Sequence, residues 1–106
     1  MIPSKVKIGG LTYKCSLEKN LARDRNSLGE SCGNELSITI DESTSQQTQN
    51  KTLIHEIIEQ LNFNYDIDLE HHKICLIETG LYQVIVDNPG IFNFKEESNE
   101  TKNITT

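Results

Sequence analysis

Tryptophan is absent from this 106-residue chain, and tyrosine and phenylalanine contribute only three residues each. With so little aromatic area, a core must be assembled from Ile, Leu and Val, which suits a thin two-layer α+β domain. A chain of this length holds one modest core and one site. No apolar run approaches the ~18 residues of a membrane span. The opening Met1-Ile2-Pro3-Ser4-Lys5 also lacks the apolar stretch of a secretion signal. The expected location is therefore cytoplasmic, with no membrane partner. C-x-x-C pairs are missing as well. Cys15, Cys32 and Cys75 form an odd, widely spaced set, expected to remain reduced and structural. Positive charge is scarce: 10 Lys and Arg face 16 Asp and Glu, for a net charge of -6. Binding nucleic acid through its phosphates needs a basic surface, so that partner is not expected. The small grouping Lys19, Arg23 and Arg25 reads as a solvated loop.

Period-two patterning begins at once. Val6 and Ile8 alternate with lysines, Gly9-Gly10 supplies a turn, and Leu11, Tyr13 and Cys15 alternate again, a β-hairpin signature. Residues 18 to 34 show no sustained period and read as a long connection with room for a short helical or strand piece. Leu36, Ile38 and Ile40 give a third strand, closed by Asp41. Ser43 or Ser45 can cap a helix from about 47 to 62. In it, Leu53, Ile54, Ile57, Ile58 and Leu61 fall in one arc at helical periodicity, with His55 and Glu59 on the opposite half and Glu56 to one side. Asn62 to Asp66 connects to a second helix from about 69 to 87, with Asp68 as its cap and Asn88-Pro89-Gly90 as its end. The expected architecture is a small antiparallel sheet, a hairpin plus an edge strand, packed on a two-helix hairpin over residues 1–92. A polar tail, 93–106, is expected to be disordered.

The chemistry gathers on the helices. His55-Glu56-Ile57-Ile58-Glu59 places two metal ligands at i and i+4, one above the other on a helix, with a further carboxylate between them. On an arbitrary helix such a pair is ordinary polar surface. The second helix changes the weight, because a helix hairpin brings His71 and His72 back toward Glu59. His71 shares a face with Ile74, Glu78, Leu81 and Ile85, and this phase favours it over His72. The set His55, Glu59 and His71 suits a zinc ion that keeps a position open for water, with Glu56 placed as general base. Glu78 could support or replace a ligand and Tyr82 could donate to an oxyanion, though both are common as plain hairpin polar residues. Cys32 could approach the site if its strand borders it, but a buried structural thiol is the simpler reading, and Cys75 is given no role.

Leu53 to Glu59, Leu69-Glu70-His71-His72-Lys73-Ile74 and Leu81 to Pro89 together resemble a family of small phage and prophage proteins. Lys7 to Tyr13 and Leu36 to Asp41 are similar too, so the likeness covers roughly residues 5 to 90. Members look like minimal zincins, and some carry H-E-x-x-H where this chain has Glu at position 59. The resemblance implies a phage origin, a host cytoplasm as location and a metallopeptidase-like fold, and its pattern places a histidine at His71.

Two functions follow as expectations. One is a zinc-dependent, endopeptidase-like hydrolase in which metal-activated water attacks a peptide carbonyl with Glu56 as base. An extended peptide would then add to the third strand, Glu35 to Ile40, as its edge. The other is a non-catalytic factor that docks on a host protein, for which an acidic surface favours basic partners.

Overall fold

The opening alternation forms strand β1 (Lys5–Ile8) and strand β2 (Leu11–Glu18). Gly9 and Gly10 between them lie at φ 60° and 81°, the region a two-residue hairpin turn demands and other side chains resist. The connection after β2 folds into a short helix α1 (Leu21–Arg25) and strand β3 (Gly29–Cys32). Strand β4 (Ser37–Asp41) and helices α2 (Gln46–Tyr65) and α3 (His71–Asp87) complete the order. The computed structural model describes residues 1–94. The expected polar tail lies, from Lys95 onward, outside the described residues.

The expected α+β class, a sheet packed on helices, is the one the chain adopts. The sheet differs from the antiparallel expectation in one pairing. Its order is β1-β2-β4-β3, with β2 and β4 parallel and the other pairs antiparallel. β3 folds back on β4 as a hairpin and takes the outer position, so β4 is inserted beside β2. The edges are therefore β1 and β3, and the segment expected at the edge is interior.

One face of the sheet carries the buried cluster Ile8, Tyr13, Cys15, Ile38 and Ile40, against which Leu53, Ile57 and Leu61 of α2 pack. The intervening Thr12, Lys14 and Ser16 face solvent, as the pleat requires. The apolar arc expected on α2 is only part of its buried side. Thr52, Glu56 and Gln60 are buried too, so a polar stripe lies beside the apolar one.

The ends of the helices are set by local chemistry. Ser45 caps α2, its side chain accepting from the Thr48 N–H at 3.1 Å. Asp66 ends it in the left-handed region, and Asn62 then clasps Leu69 with two bonds of 2.9 and 3.2 Å. Asp68 does not cap α3: it sits at φ 68°, and Glu70 holds the capping position without a side-chain bond. α3 packs on α2, with Ile74 buried.

Asp41 closes β4 fully buried, accepting from the Ser43 hydroxyl at 2.6 Å, the Ala22 N–H at 2.7 Å and the Ser43 N–H at 2.8 Å. The Ser43 hydroxyl above all, and then the backbone donors, hold its carboxyl below the usual range. It thereby supplies α1 with the cap that Asn20 does not. A depressed carboxylate pKa contributes stability above the unfolded value that is lost as pH falls through the folded one. Asp41→Asn should therefore lower the urea midpoint at neutral pH, with the gap to wild type closing in acid.

Candidate metal centre

One helical turn separates His55 from Glu59, and His55 Nε2 lies 3.2 Å from Glu59 Oε2. The Asn62 clasp turns α3 back along α2, so that His71 Nδ1 comes within 3.4 Å of the same oxygen. The two imidazoles meet edge to face at 5.1 Å. One ligand atom from each of His55, Glu59 and His71 lies within 4.8 Å of the others. In a tetrahedral zinc site with bonds of roughly 2.0–2.1 Å, neighbouring ligand atoms are roughly 3.3 Å apart. The two spacings to Glu59 are near that edge, so the donor types and these two separations are compatible with a zinc ion. His71 and His72 are both exposed, and it is His71 that stands within 3.4 Å of Glu59.

The other nitrogen of His55, Nδ1, is 2.9 Å from Glu78 Oε1. A carboxylate accepting from Nδ1–H fixes the ring and leaves the Nε2 lone pair free for a cation. Glu78 in turn has Lys51 Nζ at 3.9 Å. Tyr82 is a turn farther on, with the Lys51 ammonium 6.0 Å from its ring centre. It is not among the residues lining the two cavities beside the histidines. Of the grouping Lys19, Arg23 and Arg25, Arg25 pairs with Glu18 and Glu30, and Arg23 with Asp24.

Glu56 is buried between α2 and β3. The Ser31 hydroxyl donates to its Oε1 at 2.6 Å and itself accepts from Gln60 Nε2 at 2.9 Å, while Tyr13 donates to Gln60 Oε1 at 2.8 Å. This chain of bonds runs Tyr13, Gln60, Ser31, Glu56 with every donor and acceptor correctly matched. Burial pushes the Glu56 carboxyl above its ordinary range, Glu59 and Glu30 add to the rise, and the Ser31 bond and His55 oppose it. β3 approaches α2 closely at Gly29, where an added Cβ would stand 2.5 Å from Thr52 Cγ2. Glu56, His55 and His71 line a cavity of about 580 Å³ with Glu59, and a second of about 340 Å³ with Cys75 and Glu78.

Ser31, Gln60, Tyr13 and Gly29 had no part in the expected site. The spacing of Thr52, Glu56 and Gln60 by four residues, polar on a face beside the core, was the available signal. Cys32 lies on the bordering strand, outside both cavities.

No protein-family model, curated protein or solved structure matches the chain.

Two outcomes test the network. Ser31→Ala leaves the Gln60 amide and the Glu56 carboxylate each short of a partner, and should cost about 1–3 kcal/mol in urea unfolding. Glu56→Gln removes a buried charge whose folded pKa is raised. It should unfold at higher urea than wild type at neutral pH, with the advantage vanishing once pH falls below the ordinary carboxylate range.

Proposed function

We propose that the chain is a zinc-dependent hydrolase, endopeptidase-like in its chemistry and of the phage type its sequence resembles. The observation that carries this reading is that Glu56 lines the same cavity as His55, Glu59 and His71. His55, Glu59 and His71 would hold the ion, which when bound would supply polarisation of a carbonyl and acidification of water. Glu56 would accept the proton that water loses. Its raised pKa suits it to this, since a base works best with a pKa nearer the working pH. The Ser31 bond keeps Oε1 occupied and so orients the carboxylate. Burial excludes competing water around it. His71, with its side chain 72% exposed, leaves one side of the set open to an incoming group.

The substrate edge belongs to β3. Gly29 to Ser31 line the cavity and β3 ends the sheet, so an extended peptide adding there would lay its backbone beside Glu56. The second reading, a docking factor on the same scaffold, draws on Leu76, Val86 and Phe92, apolar side chains exposed on α3 and just after it.

With a library of fluorescence-quenched peptides, zinc-loaded wild type should show turnover. Glu56→Gln should keep its zinc by elemental analysis and its fold by circular dichroism, while turnover falls by roughly 10²–10⁴-fold. Undiminished cleavage by that variant would exclude Glu56 as the base. Absence of turnover, with a full biological effect in a folded His55→Ala variant, would favour the docking reading.

A further inference from the structure

We propose that the chain carries a second cation-binding set, His55, Cys75 and Glu78, which takes a thiophilic divalent ion and competes with the first set for the His55 ring. The competition rests on reading His55, Glu59 and His71 as a metal site; Cys75 and Glu78 belong to the second set alone.

His71, Cys75 and Glu78 follow one another at i, i+4 and i+7 on α3, along the stripe that faces α2. From α2, His55 reaches into that stripe. Ligand atoms of His55, Cys75 and Glu78 all lie within 4.8 Å of one another, and His55 Nδ1 is 2.9 Å from Glu78 Oε1. His71 Nε2 is 3.5 Å from Cys75 Sγ, close enough to serve as a fourth donor. The cavity of about 340 Å³ opens onto Cys75 and Glu78, whereas the larger one opens onto Glu59. Cys75 and Glu78 thus line one cavity and Glu59 the other, while Gly29, His55, Glu56 and His71 line both.

Donor chemistry separates the two sets. Glu59 with two imidazoles offers only nitrogen and oxygen, while Cys75 adds sulfur, which favours zinc, cobalt and cadmium over harder ions. Coordination replaces the Cys75 S–H bond with a sulfur–metal bond and releases the proton to solvent.

Exclusion follows from the imidazole itself. A neutral ring has one lone pair. With the hydrogen on Nδ1, bonded to Glu78, Nε2 serves the Glu59 side. With the hydrogen on Nε2, bonded to Glu59 at 3.2 Å, Nδ1 serves the Cys75 side. A tautomer change thus moves the ligand between sets, and an ion held by Cys75 leaves the cavity containing Glu59 without one. The second set would act as a resting position for the ion.

Cobalt(II) titration of the full reduced chain, read by absorption, tests this. Wild type should show a near-ultraviolet thiolate-to-cobalt band together with visible ligand-field absorption. Glu59→Ala should keep the near-ultraviolet band. Cys75→Ser and Cys75→Ala, each folded by circular dichroism, should lose that band and keep the visible absorption through the first set. Visible absorption without the near-ultraviolet band in wild type would overturn the second set and leave the first standing. A band that survives Cys75→Ser belongs to another thiol and would also overturn it. Loss of the band in Glu59→Ala would make Cys75 a mere addition to the first set, against the proposal. No cobalt absorption in any protein would overturn both sets.

Discussion

The line of hydrogen bonds from Tyr13 through Gln60 and Ser31 to Glu56 is the constraint on which the remaining arrangement depends. It crosses three elements, β2, α2 and β3, and joins the apolar core under Tyr13 to the carboxylate beside the histidines. Each bond contributes only about 0.5–1.5 kcal/mol net, but leaving any member buried without a partner costs about 1–3 kcal/mol. The network is therefore all or nothing, and it holds the edge strand at a fixed distance from α2. Gly29 makes that distance possible, because a Cβ there would collide with Thr52. A purely apolar contact between β3 and α2 would bury the same area at less electrostatic cost. What the polar version adds is a carboxylate held in one orientation with its pKa raised.

The second helix supplies the counterpart. α3 leans on α2 more than on the sheet, and its phase is set by Ile74 in the contact and by the two Asn62 bonds at the connection. That phase lays His71, Cys75 and Glu78 along α2, opposite His55 and Glu59. His55 is held from both sides, by Glu59 at Nε2 and by Glu78 at Nδ1. Two carboxylates thus flank one imidazole, with Lys51 beside Glu78 at 3.9 Å, in a chain of net charge -6.

Local relations were legible in the sequence, and long-range ones were not. The spacing of His55 and Glu59 is a property of one helical turn, and the approach of His71 follows from a short connection plus helical phase. The hairpin at Gly9-Gly10 and the Ser45 cap are equally local. The parallel pairing of β2 with β4, and the outer place of β3, depend on where a strand of four residues without an apolar alternation settles after the chain has folded back. Glu56 was read as flanking the core because hydrophobic periodicity assigns buried faces to apolar residues. Its burial needs Ser31, brought from a sequence position that no local pattern links to it, whereas Gln60 lies one helical turn on and was within reach of the spacing. Asp68 looked like a cap by residue type, but the left-handed turn it occupies leaves that position to Glu70.

Anomalous scattering at the zinc edge, from crystals of the Cys75→Ala variant grown with zinc, tests the central claim most directly. The account predicts one peak, bonded to His55 Nε2, the Glu59 carboxylate and His71 Nδ1, with the Glu56 carboxylate facing the remaining open side. Full diffraction from zinc-saturated crystals with no peak among those three side chains would contradict it.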